Sequence, residues 1–148
     1  MAKLNVLNKD ASKIMEKILA YIPEGETAVK IANNDVYMPL CVERDVWDVN
    51  DVLAIMPFEE KFAVSLCHYG ECNGDAMRDP EVVFICYKSD GAWKYVPATF
   101  QNDWLGVYER DILVEDGRIA FKAGSQRGLK DFCNQWLENI AIQQDIVA

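Results

Sequence analysis

Phe62-Ala63-Val64-Ser65-Leu66-Cys67-His68-Tyr69 and, thirteen positions on, Val82-Val83-Phe84-Ile85-Cys86-Tyr87 decide the fold class. The first segment alternates across a pleat. Phe62, Val64, Leu66 and His68 fall on one face, and Ala63, Ser65, Cys67 and Tyr69 fall on the other. The second is a continuous apolar run of strand length, which predicts a strand buried on both faces. Ser89-Asp90-Gly91 then reads as a tight hairpin turn into a strand over Trp93 to Thr99.

Working outward, the period stays at two. Thr27 to Ile31 reads as a strand, Asn33-Asn34-Asp35 as a turn, and Val36 to Val42 as the returning strand. Pro39 within that strand predicts an edge or a bulge, because proline lacks the ladder donor. Val46 to Met56 mixes Asp and Asn with Val and Trp and reads as a short strand or an ordered loop. Val107 to Val114 reads as one strand, turned by Asp116-Gly117 into Arg118 to Phe121.

At both ends the period changes to that of a helix. Ile14, Met15, Ile18, Leu19 and Ile22 form one face, with Asp10 or Ser12 as the expected cap and Pro23 as the stop. Leu129, Phe132, Cys133, Trp136, Leu137 and Ile140 form the widest stripe in the chain, with Ser125 as the expected cap. The expected fold is α+β: an antiparallel β-meander sheet of about five to seven strands, packed by an N-terminal and a C-terminal helix. No repeat, linker or low-complexity tract divides the chain, so residues 1–148 are expected to form a single α+β domain.

The 148 residues include 15 Lys and Arg against 24 Asp and Glu, a formal net charge of -9. This sign disfavours a protein that grips nucleic acid through a broad basic face. No apolar stretch reaches the ~20 residues of a membrane-spanning helix. Nor does a signal-peptide core follow Met1, and the five cysteines include no CxxC pair, so a cytoplasmic protein with reduced thiols is expected.

Chemistry is concentrated between the two central strands, in His68-Tyr69-Gly70-Glu71-Cys72-Asn73-Gly74-Asp75-Ala76-Met77-Arg78-Asp79-Pro80-Glu81. It reads as a loop longer than a hairpin requires, and it contains the one histidine of the chain. His68 ends an apolar row, so a half-buried imidazole is expected, with Asp75 or Asp79 curling back to accept from it. Oxygen ligands at odd spacing resemble a calcium loop, but its sixth and twelfth positions, counted from Glu71, hold Ala76 and Val82. Cys67 faces away from His68, which leaves Cys72 as the candidate nucleophile of the loop. No GxSxG, P-loop or GxGxxG is present. Neither a metal nor a cofactor is expected.

A second polar cluster, Phe100-Gln101-Asn102-Asp103-Trp104-Leu105-Gly106, follows the Trp93–Thr99 strand. A meander places alternate loops at one end of the sheet. His68, Asp75, Asp79, Asn102 and Asp103 are therefore expected to approach one another, with Trp104 as an exposed wall. The candidate functional residues are His68, Asn73, Asp75, Asp79, Glu81, Asn102, Asp103 and Trp104.

The string His68-Tyr69, Asn73-Gly74-Asp75, Met77, Asp79-Pro80-Glu81, followed by Trp93, Pro97, Phe100-Gln101-Asn102-Asp103 and Gly106, resembles an uncharacterised family. That family is a domain of unknown function found in bacteria, phages and conjugative elements. The resemblance implies an α+β domain and a mobile-element setting. It implies no activity, cofactor or catalytic residue.

Two functions follow as expectations. One is a non-enzymatic accessory or binding protein that engages a protein partner through an acidic surface, with Trp47 and Trp104 as exposed aromatic anchors. Nucleic-acid mimicry is a narrower form of it, opposed by the interspersed basic residues. The alternative is a small hydrolase or metal-assisted enzyme centred on His68, Asp75 and Asp79.

Overall fold

A computed structural model describes residues 3–146. Three helices and eight strands follow in the order α1 (Lys9–Leu19), β1 (Ala28–Ile31), β2 (Leu40–Arg44), α2 (Asn50–Ile55), β3 (Lys61–Cys72), β4 (Asp75–Ser89), β5 (Ala92–Asn102), β6 (Val107–Arg110), β7 (Ile112–Glu115), β8 (Arg118–Phe121) and α3 (Ala123–Gln143). The first six strands form one antiparallel sheet in sequence order. The fold is α+β with a meander sheet and a helix at each end of the chain, as the alternation of period predicts.

Each face of the sheet carries its own core, because side chains alternate across the pleat. Phe62, Val64 and Leu66 of β3 and Val82, Phe84 and Cys86 of β4 meet α1 and α3 on one face. From α3 this core receives Leu129, Cys133, Trp136, Leu137 and Ile140. On the other face Ala63, Val83, Ile85 and Val96 meet Val52 of α2, together with Ile112, Val114 and Ile119 of the β7–β8 hairpin. This second layer reaches only part of its face.

Several expectations are corrected. In the segment Val46 to Met56, residues 46–49 are loop and turn, and Asn50–Ile55 is the short helix α2 in place of a strand. Val52 is the buried residue of α2, and the buried Val49 and Met56 flank it as the caps of the helix. The returning strand begins at Leu40 rather than Val36, so Pro39 lies outside it. Val107 to Val114 is two strands in two sheets. The break falls at Asp111, a carboxylate only 1% exposed. Its N–H donates to Ala98 O at 2.8 Å, its carbonyl accepts from Lys122 N at 3.0 Å, and its carboxylate accepts from Ser125 Oγ at 2.8 Å. Ser125 therefore braces this crossover instead of capping α3, which starts two residues earlier. The cap of α1 is Asn8, not Asp10 or Ser12; its side chain accepts from Ala11 N at 2.8 Å.

The segment expected to be a long loop is a continuation of the sheet. Strands β3 and β4 pair as far as Cys72 and Asp75, and Asn73-Gly74 alone makes the turn, at φ 53° and 86°. Both positions need positive φ in a two-residue hairpin of this twist, which Asn tolerates and Gly adopts freely.

Candidate functional site

The β3–β4 ladder changes register at His68. Cys67 pairs with Glu81 on one side and Tyr69 pairs with Arg78 on the other, leaving His68 opposite Asp79-Pro80, a cis peptide. The irregularity sends neighbouring side chains to very different surroundings.

His68 goes to the helix side. Its ring lies edge-on to Trp136 of α3, centroids 5.6 Å apart, and it is buried. Its Nε2 has no hydrogen-bond partner. Burial pushes its pKa below the ordinary value, opposed by the charge of Asp79. The expected His–Asp hydrogen bond is absent among the described residues. Asp79 Oδ1 instead accepts from Asn102 Nδ2 at 3.1 Å. Asp75 sits at the hairpin tip opposite Cys72, and Asn73 forms the turn itself.

The 100–106 segment does lie beside the hairpin. Asp103 Oδ2 accepts from the backbone N–H of Arg78 at 2.8 Å, and Asp103 N–H donates to Arg78 O at 2.9 Å. Gln101 Nε2 donates to Asp103 Oδ1 at 3.1 Å. The Arg78 backbone N–H, together with Gln101 and the guanidinium, holds the Asp103 carboxyl below its usual range. Asn102 Oδ1 accepts from Leu105 N at 3.2 Å and shapes the turn. Trp104 covers Gly70, where an added Cβ would stand 3.1 Å from the indole Nε1.

On the other face, beyond the reach of α2 and β7–β8, Ser65 and Cys67 remain buried and a groove opens beside them. It has a volume of about 440 Å³ and is lined by Glu43, Trp47, Asp48, Tyr69, Arg78 and Glu81, among others. Parity places these residues together: Ser65, Cys67 and Glu81 share this face, and Ser65 Oγ donates to Glu81 Oε2 at 2.6 Å. Arg78 Nε lies 3.5 Å from Glu81 and its guanidinium 3.6 Å from Asp103. Tyr108 of β6 pairs with Gln101, which pairs with Glu81, so Tyr108 shares this face. Trp47 is 84% exposed, Tyr108 53% and Tyr69 42%.

Of the sequence-derived candidates, Glu81 lines this groove and Asp103 fixes its arginine. Asp79, Asn102 and Trp104 brace the hairpin beside it, and His68 lies behind the sheet. Tyr69, Arg78 and Glu43, which line the groove, and Tyr108 on the same face stand outside the candidate residues of the sequence. The parity of β3 alone links Tyr69 to Ser65 and Cys67, but the sequence does not reveal where the groove opens.

Cys72, the candidate nucleophile, pairs with Asp75 at the hairpin tip. The other four thiols are raised above their ordinary value: burial, with Glu81 second, pushes Cys67 up to about 12, and burial also raises Cys41, Cys86 and Cys133. Among the described residues no three His, Cys, Asp or Glu side chains group as metal ligands. No described helix is long and apolar enough to cross a membrane.

The family model described as Domain of unknown function (DUF6908) matches residues 9–146. No curated protein and no solved structure matches the chain.

Proposed function

We propose, from the premise that the chain belongs to the DUF6908 family of domains of unknown function, that it is a non-enzymatic binding module. It engages a protein partner through the acidic groove between Trp47 and Tyr69. The observation that carries this reading is Trp47, a tryptophan 84% exposed at the lip of a groove. Exposed aromatics beside a concave surface are the usual anchors of protein interfaces. The net charge of -9 supports an acidic contact surface. Its setting, in the same reading, is the cytoplasm of a cell carrying a phage or conjugative element. The resemblance of the His68–Glu81 string supports that setting.

Photo-cross-linking tests the reading. A benzoylphenylalanine at position 47, in the protein made in its native cell, is expected to give a discrete adduct. The same residue at position 132, half-exposed on α3, is expected to give none. No adduct at 47, or equal adducts at both positions, contradicts the assignment.

A further inference from the structure

We infer that the Trp47–Tyr69 groove receives an arginine side chain from a basic segment of the partner protein; the inference rests on the binding reading above and names its chemistry. The occupant follows from the charges left unsatisfied. Arg44 already faces Asp45 at 3.8 Å, and Arg78 faces Glu81 and Asp103. Among the described residues, Glu43 and Asp48 have no basic side chain within ion-pair distance. The free charge in the groove is therefore negative. A phosphate backbone or an acidic peptide would meet Glu43, Asp45 and Asp48 with the same sign.

The walls select among cations. Trp47 and Tyr69 line the groove and are 84% and 42% exposed, and Tyr108, 53% exposed, shares the sheet face through its pairing with Gln101. A guanidinium is planar and weakly hydrated. It can stack on such a ring while its fork of N–H donors meets a carboxylate. An ammonium is a compact, strongly hydrated point charge and gains less from the same surroundings. The fold already stabilises one arginine in this way, with the Arg44 guanidinium 3.8 Å from the centroid of the Phe62 ring. The long-range field of a chain with net charge -9 draws a basic segment toward the groove.

The test uses the intact chain with labelled nona-arginine, nona-lysine and nona-glutamate peptides at 150 mM salt, read by fluorescence anisotropy. Nona-arginine is expected to bind several-fold more tightly than nona-lysine, and nona-glutamate not at all. Trp47→Ala is expected to weaken nona-arginine about two- to five-fold, toward the nona-lysine value. Glu43→Gln with Asp48→Asn is expected to weaken both cationic peptides. Glu115→Gln with Asp116→Asn, the same charge change at the distant β7–β8 turn, is expected to leave both unchanged. Equal affinity for the two cationic peptides overturns the inference. So does an equal loss in the two double variants, or binding of the anionic peptide. Because these peptides need no native partner, the result is separable from the cross-linking experiment. An acidic partner captured at position 47 removes the arginine and leaves the binding module standing.

Discussion

Asp103 holds Arg78 twice: its carboxylate accepts from the Arg78 backbone N–H at 2.8 Å and faces the guanidinium at 3.6 Å. The turn after β5 thereby fixes one of the two arginines, Arg44 and Arg78, that line the groove. Asp103→Ala is expected to release the far half of the β3–β4 hairpin. Amide exchange over residues 69–78 should quicken while α1 and α3 stay protected. Unchanged exchange there means that the ladder alone sets the position of Arg78.

Gly70 and Trp104 make a close contact, in which an added Cβ would stand 3.1 Å from the indole Nε1 and the indole would have to give by a few tenths of an ångström. Gly70→Ala is expected to push the indole outward at a cost of about 1 kcal/mol, because a strand backbone yields little. A red-shifted tryptophan emission and a lower urea midpoint check it. An unaltered spectrum contradicts it.

Gln126 is fully buried on α3 and clamps two distant segments. Its Oε1 accepts from Asn5 N at 2.9 Å and Asn5 Nδ2 at 2.7 Å. Its Nε2 donates to Asn5 O at 2.8 Å and Pro97 O at 3.1 Å. Gln126→Leu orphans these groups and is expected to cost about 2–4 kcal/mol in denaturant unfolding. A loss below about 0.5 kcal/mol, the range of an ordinary surface change, contradicts this account.

His68 gives the protein an acid sensitivity of defined sign. Burial lowers its pKa in the folded chain, so the unfolded chain binds the proton more readily. Stability is unaffected above the unfolded value of about 6.5 and declines as the pH falls from there toward the lower folded value. His68→Phe keeps the edge contact with Trp136, removes the unpartnered Nε2 and is expected to flatten that decline. Urea midpoints at pH 7.5 and 5.5, compared between wild type and variant, measure it. An identical drop in both places the sensitivity elsewhere.

The sheet was legible in the sequence because its signals are local. Alternation in Phe62–Tyr69, the apolar run Val82–Tyr87 and the Asp90-Gly91 turn each act over a few residues. The α3 stripe was legible for the same reason, with Leu129, Cys133, Trp136, Leu137 and Ile140 all buried. What escaped depends on distant partners. Asp111 breaks β6 from β7 because Ala98, Lys122 and Ser125 meet it in space. α2 was hidden because it is one short turn or two, with Asn50 and Asp51 at its start and Val52 as its one buried position. The candidate loop was read from its polar residues, and its strand pairing was missed because a bulge and Asp79-Pro80 interrupt the period. The order of the meander made the 100–106 segment legible as a neighbour of the hairpin, whereas the groove depends on how far the second layer extends.

The central claim is that the Trp47 face is a partner surface. It is tested most directly by the equilibrium affinity of the protein captured at position 47, measured against wild type and Trp47→Ala. The account predicts a loss of about tenfold or more with an unmoved melting temperature, the behaviour of an exposed anchor that supports no core. Equal affinity for the two proteins would contradict it.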